Sequence, residues 1–184
     1  MRSDWVLNYP KATKALLMAV LEAQIWCDKL ANKPEMCEII AGRKYFNVPA
    51  RDILDRTLGN FDFGNGQKFV NSPLRMRFWE TTRGAGDVAS YPYRSHDLWF
   101  LIEILRWCYL PADTDTQSLI SRVNREGMWR SAARAIGQAD AIPRDTSRGV
   151  ETFFDGVVFD PAQPMAYLNR QPIKAVPAQE DTAA

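Results

Sequence analysis

One stretch crowds hydroxyl, imidazole, guanidinium and aromatic side chains together: Ser90-Tyr91-Pro92-Tyr93-Arg94-Ser95-His96-Asp97-Leu98-Trp99. It leads into an apolar helical pattern, and the unpaired N–H groups of a helix start attract anions. Arg94 and His96 would add positive charge and hydrogen-bond donors to such a site. The competing reading is structural: Ser95 as N-cap, Asp97 in the first turn, and His96 held by a backbone carbonyl. Hydrolytic chemistry has no support. His96 is the only histidine in the chain, and its neighbours Ser95 and Asp97 point to other sides of a helix, so they cannot form a relay with it. No enzyme is expected and no catalytic residue is assigned.

Other chemistries fail on residue type or spacing. One histidine cannot build a His-rich zinc cage. The three cysteines, Cys27, Cys37 and Cys108, form no Cys-x-x-Cys pair and read as small buried hydrophobes, with one disulfide left open by their number. Asp113-Thr114-Asp115-Thr116 resembles part of a calcium loop but lacks its glycine and terminal glutamate, so it reads as a helix start. Neither Gly64-Asn65-Gly66 nor Gly84-Ala85-Gly86 carries the lysine of a phosphate loop. No metal and no cofactor is expected. Arg75 and Arg77 beside Phe78 and Trp79, and Arg122, Arg125, Arg130 and Arg134 interrupted by Glu126, read as solvated helix sides. With 23 Lys and Arg against 22 Asp and Glu in 184 residues, the net charge of +1 excludes a nucleic-acid binder that neutralises many phosphates.

The elements that must hold these residues are mostly helical. Helical spacing of Ala12, Leu16, Ala19, Val20, Ala23, Cys27 and Leu30 predicts a helix over 10–30, opened by Pro10, with that stripe against the core. Further helices are predicted from Pro34 to Gly42, from Val48 to Gly59, from Pro73 through Trp79, from Ser95 to Pro111 with Tyr109 on the apolar face, around Leu119 to Val123, and from Met128 to Gly137. A short one is expected at Met165 to Leu168. Hairpins are expected around Gly64-Asn65-Gly66 and Asp155-Gly156. Gly84-Ala85-Gly86-Asp87 reads as a flexible connection, and residues 175–184 as a disordered tail. No β-α-β alternation appears. The start, Met1-Arg2-Ser3-Asp4-Trp5, has no apolar core of a secretory signal. The stretch from Leu98 to Leu110 is too short to span a bilayer.

The aromatic-Pro-aromatic-basic-Ser-His run of Tyr91 to Trp99 resembles a stretch of nitrate and bicarbonate substrate-binding proteins, the ligand receptors of ABC importers. Asn8-Tyr9-Pro10-Lys11-Ala12-Thr13-Lys14-Ala15 with Glu22-Ala23-Gln24-Ile25-Trp26-Cys27-Asp28 is similar to the same family. So are Phe61-Asp62-Phe63-Gly64-Asn65-Gly66, Leu119-Ile120-Ser121-Arg122-Val123-Asn124-Arg125-Glu126 and Thr146-Ser147-Arg148-Gly149-Val150-Glu151-Thr152-Phe153-Phe154-Asp155-Gly156. The resemblance reaches Lys174, so residues 1–174 are identified as the C-terminal portion of such a receptor.

It implies an α/β parent fold, two lobes closing on an anion as in type II periplasmic binding proteins, of which this chain is a mostly α fragment with few short strands. The implied ligand is nitrate, nitrite, bicarbonate or cyanate, and the implied partners are the permease and ATPase subunits. The full-length protein is expected in the periplasm or attached to the inner membrane. A cytoplasmic nitrate sensor, or a regulatory domain fused to the importer ATPase, is the alternative. The resemblance places most anion contacts outside this chain. Lys11, Arg94 and His96 are the physical candidates within it, and bracing of helix ends is the other role open to them.

Overall fold

The computed structural model describes residues 2–81 and 87–175. Among them are eight α-helices and two antiparallel two-stranded hairpins. The chain divides into two compact units, Met1–Tyr91 with Met128–Pro143, and Pro92–Gly127 with the residues from Arg144 onward. No described helix is long and apolar enough to cross a membrane.

The first unit opens with α1 (Ser3–Asn8) and α2 (Pro10–Asp28), continues through α3 (Lys33–Ala41) and α4 (Ala50–Thr57), and then folds the hairpin β1 (Asn60–Asp62) and β2 (Lys68–Val70). Pro10 and Pro34 occupy the first turns of α2 and α3, where a missing N–H costs nothing. Met36 and Cys37 of α3 and Ile53 of α4 form the buried core, packed by Trp26, Ile40, Leu54 and Phe78. Gly59 ends α4 with a φ of +86°, and its carbonyl accepts the Asn71 N–H at 2.9 Å. That bond closes the base of the hairpin, whose register pairs Phe61 with Phe69.

The same unit buries a charged pair. Asp28, the last residue of α2, accepts the N–H groups of Phe78, Trp79 and Glu80 at 2.9, 2.8 and 2.8 Å. Lys33 of α3 lies 3.9 Å from Asp28 Oδ1, donates to the Met76 carbonyl at 2.9 Å, and sits over the Phe78 ring. These bonds explain why no helix forms at 73–79. Pro73 opens only a single 3-10 turn, Ser72–Leu74. Beyond it, the N–H groups that a helical ladder would use are taken by Asp28, so the chain runs open from Arg75 to Glu80.

A second departure concerns α2. Its buried residues are Thr13, Leu21 and Asp28. The stripe expected against the core faces outward: Ala12, Leu16, Ala19, Val20 and Ala23 are exposed, as is Leu30 beyond the helix end, while Cys27 is half-buried. A contact to polar backbone decided the orientation, because Asp28 must reach the N–H groups of 78–80.

The second unit is built on α5 (Arg94–Arg106), with α6 (Thr116–Val123), the hairpin β3 (Glu151–Thr152) and β4 (Val158–Phe159), and α8 (Pro164–Arg170). Helix α7 (Glu126–Ala135) begins here and its later turns belong to the first unit. Leu98, Ile102 and Leu105 of α5 pack with Ile120 of α6, Phe159 of β4, and Tyr167 and Leu168 of α8. Asp115 caps α6 by accepting the Ser118 N–H, the helix-start role its sequence suggested. Helix α5 ends at Arg106, short of Pro111. Cys108 takes a φ of +57°, its N–H bonds to Leu105 O and that of Tyr109 to Ile104 O, which throws Tyr109 into solvent. This is a Schellman ending with cysteine in the place usually held by glycine. Gly137 ends α7 in the same way, with Gln138 N bonded to Ala133 O.

The expected flexible connection at 84–86 and the expected tail lie outside the described residues, except for Asp87 and Ala175. Ala175 donates its N–H to Arg106 O at 2.9 Å, and Arg106 Nε donates to Ile173 O at 2.7 Å.

Candidate functional site

The first turn of α5 carries four consecutive polar residues that diverge around the helix axis, and each finds a partner distant in sequence. The Arg94 guanidinium meets the Glu126 carboxylate at 3.2 Å. Ser95 Oγ accepts the Arg148 N–H at 3.0 Å. His96 Nε2 lies 2.9 Å from Glu151 Oε2. Asp97 accepts an N–H of the Asn124 amide at 2.7 Å. Ser95 is therefore not the N-cap: that position belongs to Tyr93, without a side-chain cap, and the Ser95 hydroxyl is turned to the 146–151 loop.

Around this turn a second layer of bonds fixes the partners. Glu151 also receives the Arg148 guanidinium at 3.0 Å, and that guanidinium lies over the Tyr93 ring. The Tyr93 and His96 rings meet edge to face at 5.3 Å. Asn124 uses both ends of its amide: the nitrogen also donates to Pro92 O, and the oxygen accepts the Glu126 N–H. Arg94 N donates to Thr146 O at 2.8 Å, so the first N–H of the helix is already bonded.

Three stretches separated in sequence, 91–99, 119–126 and 146–156, thus meet at one helix end. Physical reading of the sequence identified the first and missed Glu126, Asn124, Arg148 and Glu151 as its partners, because nothing in local spacing announces a contact across 27 to 55 residues. The family-like motifs in those same stretches were the available signal. The chemistry of this knot is that of a brace. Arg94 and Arg148 are each matched by a carboxylate, and a free anion at this turn would have to displace one.

Lys11 stands differently. It occupies the first turn of α2 in the first unit, is exposed, and is held by no hydrogen bond or ion pair among the described residues. It is not brought together with Arg94 and His96 into one described site. Among the described residues no group of three or more His, Cys, Asp or Glu side chains could hold a metal ion. The first unit has an open groove between α4 and the first hairpin, lined by Arg51, Asp55, Arg56, Phe61 and Lys68, and its lining mixes both charges.

Comparison with known proteins sets these features in context. Residues 1–41 match the NMT1-like family. The nitrate/nitrite binding protein NrtA of Nostoc sp. strain PCC 7120 is 57% identical over 177 residues, which are 96% of this chain and 39% of that protein. The bicarbonate-binding protein CmpA of Synechococcus elongatus is 43% identical over 180 residues, 95% of this chain and 39% of that protein. In structure, the periplasmic nitrate-binding protein NrtA from Synechocystis PCC 6803 superposes with a TM-score of 0.85 at 54% identity, covering 94% of this chain and 44% of that one. These relatives are binding proteins rather than enzymes, and the chain spans about two fifths of their length. The mostly helical architecture with two short hairpins is what such a portion retains of the parent fold. In sequence and in fold the chain is similar to a portion of the nitrate/nitrite binding protein NrtA, and in sequence to a portion of the bicarbonate-binding protein CmpA.

Proposed function

We propose that this chain serves as part of a receptor for a small oxyanion, nitrate or nitrite first and bicarbonate second, that delivers its ligand to an ABC importer. The observation that carries this reading is the 57% identity to NrtA over 96% of the chain, against 43% to CmpA. The receptor works in the periplasm and docks there on the permease, with an ATPase subunit on the far side. A relative named as a periplasmic binding protein favours this over cytoplasmic sensing.

Within the chain, Lys11 is the residue we assign to the anion. Its ammonium is uncommitted, and a charge-assisted hydrogen bond offsets the desolvation of an oxyanion. Arg94 and His96, held by Glu126 and Glu151, brace the second unit instead.

The test is calorimetry with nitrate, nitrite and bicarbonate on a chimera in which this chain replaces the matching stretch of Synechocystis NrtA. Binding of nitrate or nitrite is expected, and Lys11→Ala should weaken it about ten-fold or more, the scale of one charge-assisted bond. A folded chimera that gives no heat with any of the three anions overturns the assignment.

A further inference from the structure

Helix α2 has two apolar sides, and only one is covered. Its inward side carries Thr13, Leu17, Leu21 and Asp28. On the opposite side Ala12, Ala15, Leu16, Ala19, Val20 and Ala23 follow one another at helical steps, with no charged residue among them, and all are exposed. Leu16 and Val20 are 51% and 44% exposed, and Leu7 and Tyr9, just before α2, are 72% and 56% exposed. Lys11 and Glu22 flank the face on one edge.

An uncharged apolar helix face belongs against a neighbour, because each large side chain left uncovered forfeits the free energy of its burial. The four alanines also lower the surface around Leu16 and Val20, so a second element can approach the backbone closely. The solved NrtA chain offers that element: this chain matches 44% of it at a TM-score of 0.85, which leaves more than half of that fold without a counterpart here.

We infer that the outer face of α2 is a docking surface for the remaining part of an NrtA-type receptor, with α2 as a layer buried between the first unit and that part. The occupant is apolar where it meets Leu16 and Val20 and keeps its polar groups toward Lys11 and Glu22. This rests on the receptor reading given above, but it concerns packing and not the anion.

The experiment uses Ala19→Cys, in the middle of the face, and maleimide labelling without added anion. In the isolated chain the introduced thiol should label as fast as a free exposed cysteine. In the Synechocystis NrtA chimera it should label about ten-fold more slowly or less, as burial under a stable partner demands. Leu16→Glu should leave the melting temperature of the isolated chain unchanged and lower that of the chimera by about ten degrees. Equal labelling rates, or a chimera indifferent to Leu16→Glu, overturn the inference. So does a chimera that cannot fold where NrtA itself does. A dimer of the isolated chain dissolved by Ala19→Glu, with equal labelling in the chimera, would assign the face to a second copy instead. Protection of the introduced thiol together with calorimetric silence would leave the packing standing while the anion reading fell.

Discussion

Asp28 and Lys33 form an ion pair at 3.9 Å between two helices, with 6% of the one residue and none of the other open to solvent. The pair is more than Coulombic, since three backbone N–H groups donate to Asp28 and Lys33 donates to the Met76 carbonyl. Such satisfaction is what lets charges persist in an interior. The pair therefore acts as a rivet joining the end of α2, the start of α3 and the open segment 76–80.

Removing either partner strands the other. Asp28→Ala and Lys33→Ala should each cost about 3–5 kcal/mol. The double variant should cost clearly less than their sum, because no charge is then left unpaired. Urea denaturation of the four proteins measures the coupling, and strict additivity would contradict the rivet.

The knot at α5 and the lysine at α2 should separate on two axes. Glu151→Ala removes the carboxylate that His96 and Arg148 share and should cost about 1–3 kcal/mol of stability. In the chimera, nitrate affinity should move little. Lys11→Ala should do the reverse, leaving the urea midpoint in place while the calorimetric affinity falls. A large loss of affinity with Glu151→Ala would return His96 to the ligand set.

Gly59 has the least room of the described glycines. A Cβ there would stand within van der Waals overlap of the Asn71 carbonyl oxygen, and its φ of +86° is one that side chains rarely adopt. Gly59→Ala should cost about 2 kcal/mol or more. Gly64→Ala, with a φ of +81° but open space around it, should cost less. Thermal melts of the two variants read the difference.

Burial, and secondarily the hydrogen bond to Glu103 at 2.7 Å, push the Tyr167 hydroxyl above its ordinary value of 10.0. The folded state then holds this proton more tightly than the unfolded state. The contribution is fully present below pH 10 and is lost as pH rises through the raised value. Burial also raises the Cys27 thiol above 9.0, which adds a fall beginning somewhat earlier. Denaturation midpoints should be level through neutral pH and drop above about pH 9 to 10. Tyr167→Phe should flatten the upper part of that drop, and an unchanged slope would sink the assignment.

The sequence conveyed local structure better than it conveyed direction. Glycine at 59 and 137 and proline at 10 and 34 mark element ends by backbone chemistry that any reader can apply, and those ends lie where expected. Cys108 does the work of a glycine, so α5 stopped early without a signal. The segment after Pro73 had the composition of a helix, yet an acid 50 residues upstream took its N–H groups. The α5 start was legible as a polar cluster, but its partners at Asn124, Glu126, Arg148 and Glu151 were legible only as members of motifs that resemble the binding-protein family, because pairing across a fold leaves no local spacing.

Aliphatic content cannot tell α2 which way to turn, since both of its sides would satisfy a hydrophobic interior. The polar residue Asp28 holds that information: it marks the inner side, and the greasy stripe that a pattern search selects is the outer one. Compass and cargo are carried by different residues. A substitution such as Asp28→Leu would preserve every helical preference and add apolar surface, yet it would leave the helix with two interchangeable sides. The predicted failure is then not an unfolded helix but one docked back to front, well formed by circular dichroism and presenting the wrong face.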